Sequence, residues 1–333
     1  MKVLTEKNEK VKLDKKDLRI LKNLCFNFRT PLSEIARDVQ LSRTSVENRV
    51  INMHKSGLIV GGRTVVGLKK LGYSTYHVFI QALNNIKEKK LIDRCVKNES
   101  VNAIISYSGH YVLEVSIMAR NPSEFMQIGG ELFGDLNINY GCSLMIVDTL
   151  KGVVLPDYFF RGIESSKGFS SSKKVIDYKI DEKDIEIIKI LGEDAGISLV
   201  DLSKETGMNK DTVSYRIKQM TDSKILLQFR PAVNFSVLGL TIHAVLLKTK
   251  SGNSEENKKF DDFLKGNDDV LWCAKTFGEW QYIVYLVLKN NEELHDFIKG
   301  LMSGYEEIFN EYEILFAYEE YKYSFLSKNI RIN

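Results

Sequence analysis

The sequence predicts an α+β protein in which a three-helix block followed by a βαββαβ sheet unit occurs twice. Three observations predict it. The first is a repeat at a constant offset of 167 residues: Asp14 falls on Asp181, Ile35 on Leu202, Val46 on Val213, Arg49 on Arg216, Met53 on Met220, and Leu71-Gly72 on Leu238-Gly239. Solenoid repeats recur every 20–50 residues or so, so a repeat this long makes each copy a complete small module. The second is a change of apolar period from 3.6 to 2 after each helical block. The third is the order of the elements beyond each block, strand, helix, strand, strand, helix, strand, the split-βαβ arrangement. The chain reads as a dimer-like object written in one polypeptide.

Each element has its own signals. Asp14 suits an N-cap, and Ile20 with Leu18, Leu21 and Leu24 gives the apolar stripe of a first helix. Thr30 can cap a second helix with Pro31 at its first position, where the missing N–H costs nothing. Ile35, Ala36 and Val39 then face the core. A turn at 40–42 leads to a third helix, Arg43 to Lys55, with Val46, Val50 and Met53 inward and Gly57 as its C′ residue. The second copy repeats the plan with Ser198 as cap, Gly207-Met208-Asn209 as the turn and Lys210–Asp222 as the third helix. Segments 60–70 and 227–237 are expected to link each block to its sheet as extended chain.

Alternating segments give strands at Tyr76–Ala82, Val101–Ser106, Tyr111–Met118 and about Tyr140–Val147, with helices Lys87–Asn98 and Pro122–Leu132 between them. The second half gives strands Thr241–Lys248, Val270–Lys275, Gln281–Leu288 and Glu311–Ala317, and helices Asn257–Lys265 and Glu292–Met302. This is a ferredoxin-like αβ sandwich in each half. The Gly/Ser-rich stretch 162–172 is the linker candidate, and the aromatic Val153–Phe160 before it is suited to crossing onto the other half.

Composition narrows the function. At 333 residues with 44% hydrophobic and 27% charged content, the chain is ordinary for a soluble protein of two or more domains. Its net charge of +3 hides a gradient. Residues 1–66 carry 14 Lys/Arg against 7 Asp/Glu, residues 173–230 carry 11 against 11, and residues 251–330 carry 8 against 16. A basic N-terminal end is the footprint of polyanion binding. Cys25, Cys95, Cys142 and Cys273 form no metal-ligand spacing and read as free thiols in a reducing cytoplasm. No secretory leader and no apolar run of membrane-spanning length is expected. The five histidines are dispersed; His77 and His243, near the first strands, read as packed or edge residues. No catalytic motif, metal site or cofactor site stands out, so the chain is expected not to be an enzyme.

The third helix of each block carries the chemistry. Its apolar face holds it to the domain and its polar face is left for a DNA groove. In the first copy Ser42, Arg43, Thr44, Ser45, Asn48 and Arg49 form the DNA-facing candidates. In the second they are Asn209, Lys210, Thr212, Ser214, Tyr215 and Arg216. Short hydroxyls at a helix N-terminus suit phosphate, and Arg43 and Asn48 are types that pair bidentately with guanine and adenine edges. Arg49 and Arg216 share one place and suit either clamping phosphate or bracing the domain. The two sets differ, so the halves should prefer different half-sites.

These motifs together resemble the Lrp/AsnC (feast/famine) transcription regulators, twice over in one chain. The resemblance rests on Leu13-Asp14-x-x-Asp17-x-x-Ile20-Leu21, Ser33-Glu34-Ile35-Ala36, Ser42-x-x-Ser45-Val46-x-x-Arg49-Val50, Gly57-Leu58-Ile59 and Leu71-Gly72-Tyr73. It implies a winged helix-turn-helix joined to a sandwich domain, double-stranded DNA as partner, self-association through the sandwiches, and an amino-acid-like or other small effector. The corresponding effector loops here are Gly109-His110 and Gly278-Glu279, where the family usually places an Asp after the glycine. The expected division is 1–62 and 177–228 as the helix-turn-helix domains, 63–160 and 229–333 as the sandwiches, and 161–176 as linker. The same plan also resembles fused siroheme decarboxylases, tetrapyrrole enzymes that would need His and Arg in the sheet cleft; His110 is the residue this alternative would use.

Overall fold

The structure is a computed structural model describing residues 4, 10–81, 84–138, 140–163, 175–250 and 254–332. In the first half the elements are α1 (Lys15–Phe26), α2 (Leu32–Val39), α3 (Arg43–Lys55), β1 (Ile59–Val66), β2 (Ser74–Ile80), α4 (Asn85–Lys97), β3 (Val101–Ser108), β4 (Leu113–Ala119), α5 (Pro122–Phe133) and β5 (Tyr140–Gly152). The second half has α6 (Glu182–Glu193), α7 (Leu199–Thr206), α8 (Lys210–Asp222), β6 (Leu226–Val233), β7 (Thr241–Thr249), α9 (Ser254–Gly266), β8 (Val270–Phe277), β9 (Tyr282–Leu288), α10 (Asn291–Gly304) and β10 (Phe309–Tyr323). The predicted strand end at Ala82 and residues 164–174 of the predicted linker lie outside the described residues.

Each helical block is set by its caps. Asp14 and Asp181 open α1 and α6 with reciprocal capping boxes to Asp17 and Asp184. One predicted cap shifts: α2 begins at Leu32, Pro31 is the flanking residue, and Thr30 is buried without capping. The carbonyl of Pro31 accepts from the N–H groups of Glu34 and Ile35, so proline serves just outside the helix rather than inside it.

Two corners in each block need a left-handed residue, and the copies place glycine at different ones. The corner after α2 is Gln40 (φ 55°), where the second copy has Gly207; the corner after α8 is Lys224 (φ 60°), where the first copy has Gly57. A side chain in this conformation is strained by Cβ crowding. Gln40→Gly and Lys224→Gly are each expected to stabilise the protein by up to about 1 kcal/mol. A thermal midpoint lowered by either substitution would contradict this account of the corners.

Segments 60–70 and 227–237 do more than link. β1 and β6 pair with one another antiparallel, joining the two helical blocks by a two-stranded ribbon, and a short 3-10 turn follows each strand. Within the sheets the strand orders are β3-β4-β2-β5 and β8-β9-β7-β10, the ferredoxin-like order in both halves. β5 pairs with β8 and β10 pairs with β3, which closes the eight strands into a barrel. The last strands therefore run past their predicted ends. β10 pairs with β7 up to Phe316 and with β3 from there to Tyr323.

Alternation then sorts the side chains. Val78, Ile80, Val115 and Ile117 pack with Leu91 and Ile128 of the helices outside, whereas Phe79, Ile105 and Leu144 join Ala244, Ile283 and Leu315 between the sheets. The aromatic segment after β5 does cross: Tyr158 donates to the Val287 carbonyl at 3.1 Å. The four cysteines are free thiols, three of them buried. Among the described residues, no helix is long and apolar enough to cross a membrane.

His243 on β7 is buried against the edge of Phe316, and its Nδ1 has no hydrogen-bond partner. Burial pushes its pKa below the usual value near 6.5. A group with a depressed native pKa binds protons more readily unfolded, so its contribution is complete above pH 6.5 and is lost as pH falls. The loss below that pH is at most about 1.4 kcal/mol per pH unit. Urea midpoints at pH 7.5 and 5.5 should differ more for the native chain than for His243→Gln; an equal difference would refute the assignment.

Candidate nucleic-acid interface

The third helix of each block, α3 and α8, begins with a similar cap. The Ser42 hydroxyl accepts from Ser45 N–H at 3.1 Å and donates to the Ser45 hydroxyl at 3.0 Å. The Asn209 side chain accepts from Thr212 N–H at 2.8 Å. Ser42 and Asn209 thus have a structural task in starting α3 and α8. Val46 and Met53 hold α3 to its block, and Val213 and Met220 do the same for α8.

The opposite faces are open. Arg43, Thr44, Asn48 and Asn52 are exposed on α3, with Ser45 half-buried; Lys210, Ser214 and Tyr215 are exposed on α8, with Thr212 half-buried. Among the described residues Arg43 and Lys210 have no ion-pair partner, so their charges face solvent. On α8 the exposed Asp211 stands beside Lys210, and Lys218 pairs with Asp222 at 2.6 Å. The first head therefore offers the more positive surface.

Arg49 and Arg216 each make ion pairs within their own helical block. Arg49 lies 2.8 Å from Asp14 and 2.6 Å from Asp17; Arg216 lies 2.9 Å from both Asp181 and Asp184. The same arginine in each copy thus ties the recognition helix to the capping box of the first helix. The Asp17 N–H and Arg49 hold the Asp14 carboxyl below its ordinary pKa. Neither guanidinium is left pointing alone into solvent.

The glycine loops lie where the two sheets join. A Cβ on Gly109 (φ 152°) would stand 2.8 Å from Leu315 Cδ2, and one on Gly278 (φ 151°) would stand 2.7 Å from the Ser143 carbonyl. Each loop is pressed against the last strand of the other half, which leaves no room for a side chain. His110 and Glu279 are exposed beside them; His110 N–H donates to Glu313 at 3.3 Å and its Nε2 lies 2.8 Å from Gln81 Nε2. The loops are connected inside the barrel by Trp280 Nε1–H donating to Tyr111 Oη at 3.4 Å.

The sequence reading missed a polar cluster inside the barrel. Glu114, on β4, accepts hydrogen bonds from Tyr107 (2.5 Å) and from Tyr285 of the other sheet (2.6 Å), and its Oε1 lies 2.5 Å from His77 Nδ1. Burial alone would raise the Glu114 carboxyl, but the His77, Tyr107 and Tyr285 contacts outweigh it and leave it below the usual range. Both tyrosines are pushed well above theirs, burial first and the Glu114 charge second. His77, expected as a packing or edge residue, belongs to this cluster. The available signal was Glu114 between Leu113 and Val115 in a mostly apolar strand. Tyr107 and Tyr285 also line a cavity of about 90 Å³ beneath the β1–β6 ribbon, whose walls include Arg63, Arg230, Trp272 and Glu320. Gly109, His110, Gly278 and Glu279 do not line it.

Comparison with known proteins adds three family matches. Residues 13–54 match the AsnC-type helix-turn-helix domain, residues 180–226 a winged helix-turn-helix DNA-binding family, and residues 244–326 the Lrp/AsnC ligand binding domain. The chain is 33% identical over 131 residues to the HTH-type transcriptional regulator FL11 of Pyrococcus furiosus, spanning 38% of this chain and 84% of that relative. It is 30% identical over 142 residues to the HTH-type transcriptional regulator LrpA of Pyrococcus horikoshii, spanning 42% of this chain and 99% of that relative. Among solved structures, the siroheme decarboxylase NirDL matches with a TM-score of 0.61 at 12% identity, over 96% of this chain and 94% of that one, a likeness of fold.

Proposed function

This chain belongs to the Lrp/AsnC family of helix-turn-helix transcription regulators, and on that basis we propose that it is a cytoplasmic, sequence-specific DNA-binding regulator with two unequal reading heads. The observation that carries the reading is the pair of capped helices, α3 and α8, each with a polar face open to solvent. The heads are residues 1–62 and 177–228, the sandwich domains are 63–160 and 229–333, and 161–176 links them. The constant offset and the shared strand order support a tandem duplication whose halves make an intramolecular pseudo-dimer.

Arg43, Thr44, Ser45, Asn48, Lys210, Thr212, Ser214 and Tyr215 contact the duplex, while Arg49 and Arg216 hold the helices that carry them. An amino-acid-like or other small effector binds near Gly109-His110 and Gly278-Glu279. Exposed Phe277 and Tyr318 near the sheet joins support further self-association. Fluorescence anisotropy of sheared genomic duplex at low salt tests the reading. Binding that falls steeply with added salt is expected, because basic side chains displace counterions from phosphate. A flat anisotropy at low salt would remove the proposal.

A second reading, a tetrapyrrole enzyme, has the whole-chain likeness to NirDL in its favour. Against it, neither the cavity of about 90 Å³ under the ribbon nor the cleft of about 370 Å³ beside α6 and the end of β10 has a histidine among its lining residues, whereas that reading calls for His with Arg in the sheet cleft. Siroheme mixed with the purified protein should keep the absorbance spectrum of free siroheme. A saturable band shift at one equivalent would favour the enzyme.

A further inference from the structure

Arg63 and Arg230 stand at the same offset in the two copies and face one another across the β1–β6 ribbon as direct register partners. Like charges placed opposite each other on antiparallel strands repel. Arg63 is 6% exposed and Arg230 is half-buried, and the neighbouring Glu320 is 2% exposed. Arg63 lies 3.6 Å from Glu320 and 4.3 Å from the centre of the Tyr323 ring. Arg230 donates to Gln228 Oε1 at 2.7 Å and to the Gly152 carbonyl at 2.6 Å. Burial lowers the Arg230 pKa, so its surroundings oppose the charge. Arg63 and Arg230 both line the cavity under the ribbon, and Glu320 is the one carboxylate among the lining residues. The remaining walls are largely apolar, with Ile105, Ala232, Leu271 and Ala317 among them.

We propose that this cavity binds a small aliphatic carboxylate, with its anionic end on the Arg63 and Arg230 guanidiniums and its alkyl end against Ile105, Leu271 and Ala317. A second anion balances the second guanidinium, and the planar fork of arginine matches a carboxylate bidentately. Size selects the class. A cavity of roughly 150 Å³ holds benzene with its six ring carbons, so about 90 Å³ suits a ligand of roughly four non-hydrogen atoms, an acetate-sized carboxylate. The site is separate from the glycine loops, and binding to it does not depend on the regulator reading.

The test is a titration of the full chain, free of DNA, with acetate and with its neutral isostere acetamide. Calorimetry and the fluorescence of Trp272, which lines the cavity, are the readouts. Saturable binding of one acetate per chain is expected, with acetamide at least about ten-fold weaker, the scale of one charge-assisted hydrogen bond. Arg230→Gln should weaken acetate by about ten-fold or more, and Ala317→Leu, which fills the cavity and keeps both guanidiniums, should abolish it. Equal binding of acid and amide, benzoate binding as tightly as acetate, no saturable binding, or retention of full affinity in the folded Ala317→Leu chain would each overturn the proposal. Loss of carboxylate binding with duplex binding intact would overturn this site alone; the reverse result would leave it standing.

Discussion

Arg43→Ala is expected to weaken binding to the specific duplex by about 1–3 kcal/mol, the worth of one bidentate base contact. Arg43 sits one residue past the Ser42 cap, is exposed, and lies in the segment with the strongest positive balance. Lys210 occupies the matching place on α8, beside the exposed Asp211 and in a segment of zero net charge. An ammonium is a point charge rather than a fork, so Lys210→Ala should cost less and should cost it nearly equally on all sequences. Anisotropy titrations of both variants on the same specific and nonspecific fragments separate the two effects. An Arg43→Ala chain with unchanged affinity and unchanged footprint would take α3 out of the groove.

The largest stability effect is expected at the second brace. Asp184 is 0% exposed, and its partners are Arg216, Tyr178 and the Asp181 N–H. Arg216→Ala leaves that carboxylate buried without its counter-charge, which should destabilise the second helical block by about 3 kcal/mol, the low end for a broken buried pair. Arg49 makes the same contact with Asp17, whose side chain is 18% exposed, and with Asp14, which is largely in solvent. Water can solvate these carboxylates when the arginine is gone, so Arg49→Ala should cost about 1 kcal/mol, the scale of an exposed pair. Hydrogen exchange in α1–α3 and α6–α8, measured for both variants, reads the two blocks separately. Equal losses, or a larger loss for Arg49→Ala, would contradict the burial argument.

Local signals carried much of the fold. The Asp-x-x-Asp spacing, the apolar stripes and the change of period placed the helical blocks and the strand order, while the repeated arginine left phosphate clamping and bracing both open. What local signals could not carry were the partners of strands that pair across the halves. β1 and β6 read as linking segments because each finds its mate in the other copy. β5 and β10 looked shorter than they are because their second halves pair with β8 and β3 of the other unit. The Glu114 cluster was hidden for the same reason, since Tyr285 reaches it from the opposite sheet. Arg63 and Arg230 were visible at the common offset, yet only the ribbon register sets them face to face. On the recognition helices, exposure separates Arg43 from Arg49, which residue type alone does not.

If α3 and α8 read one duplex together, DNase footprinting on fragments recovered by genome-wide crosslinking will show it. The expected footprint is a protected region with two dissimilar half-sites, centred one helical turn apart, about 34–36 Å, or a multiple of that, with one half lost in Arg43→Ala. Protection of a perfect palindrome, or no protection of any recovered fragment at low salt, would contradict joint reading by the two helices.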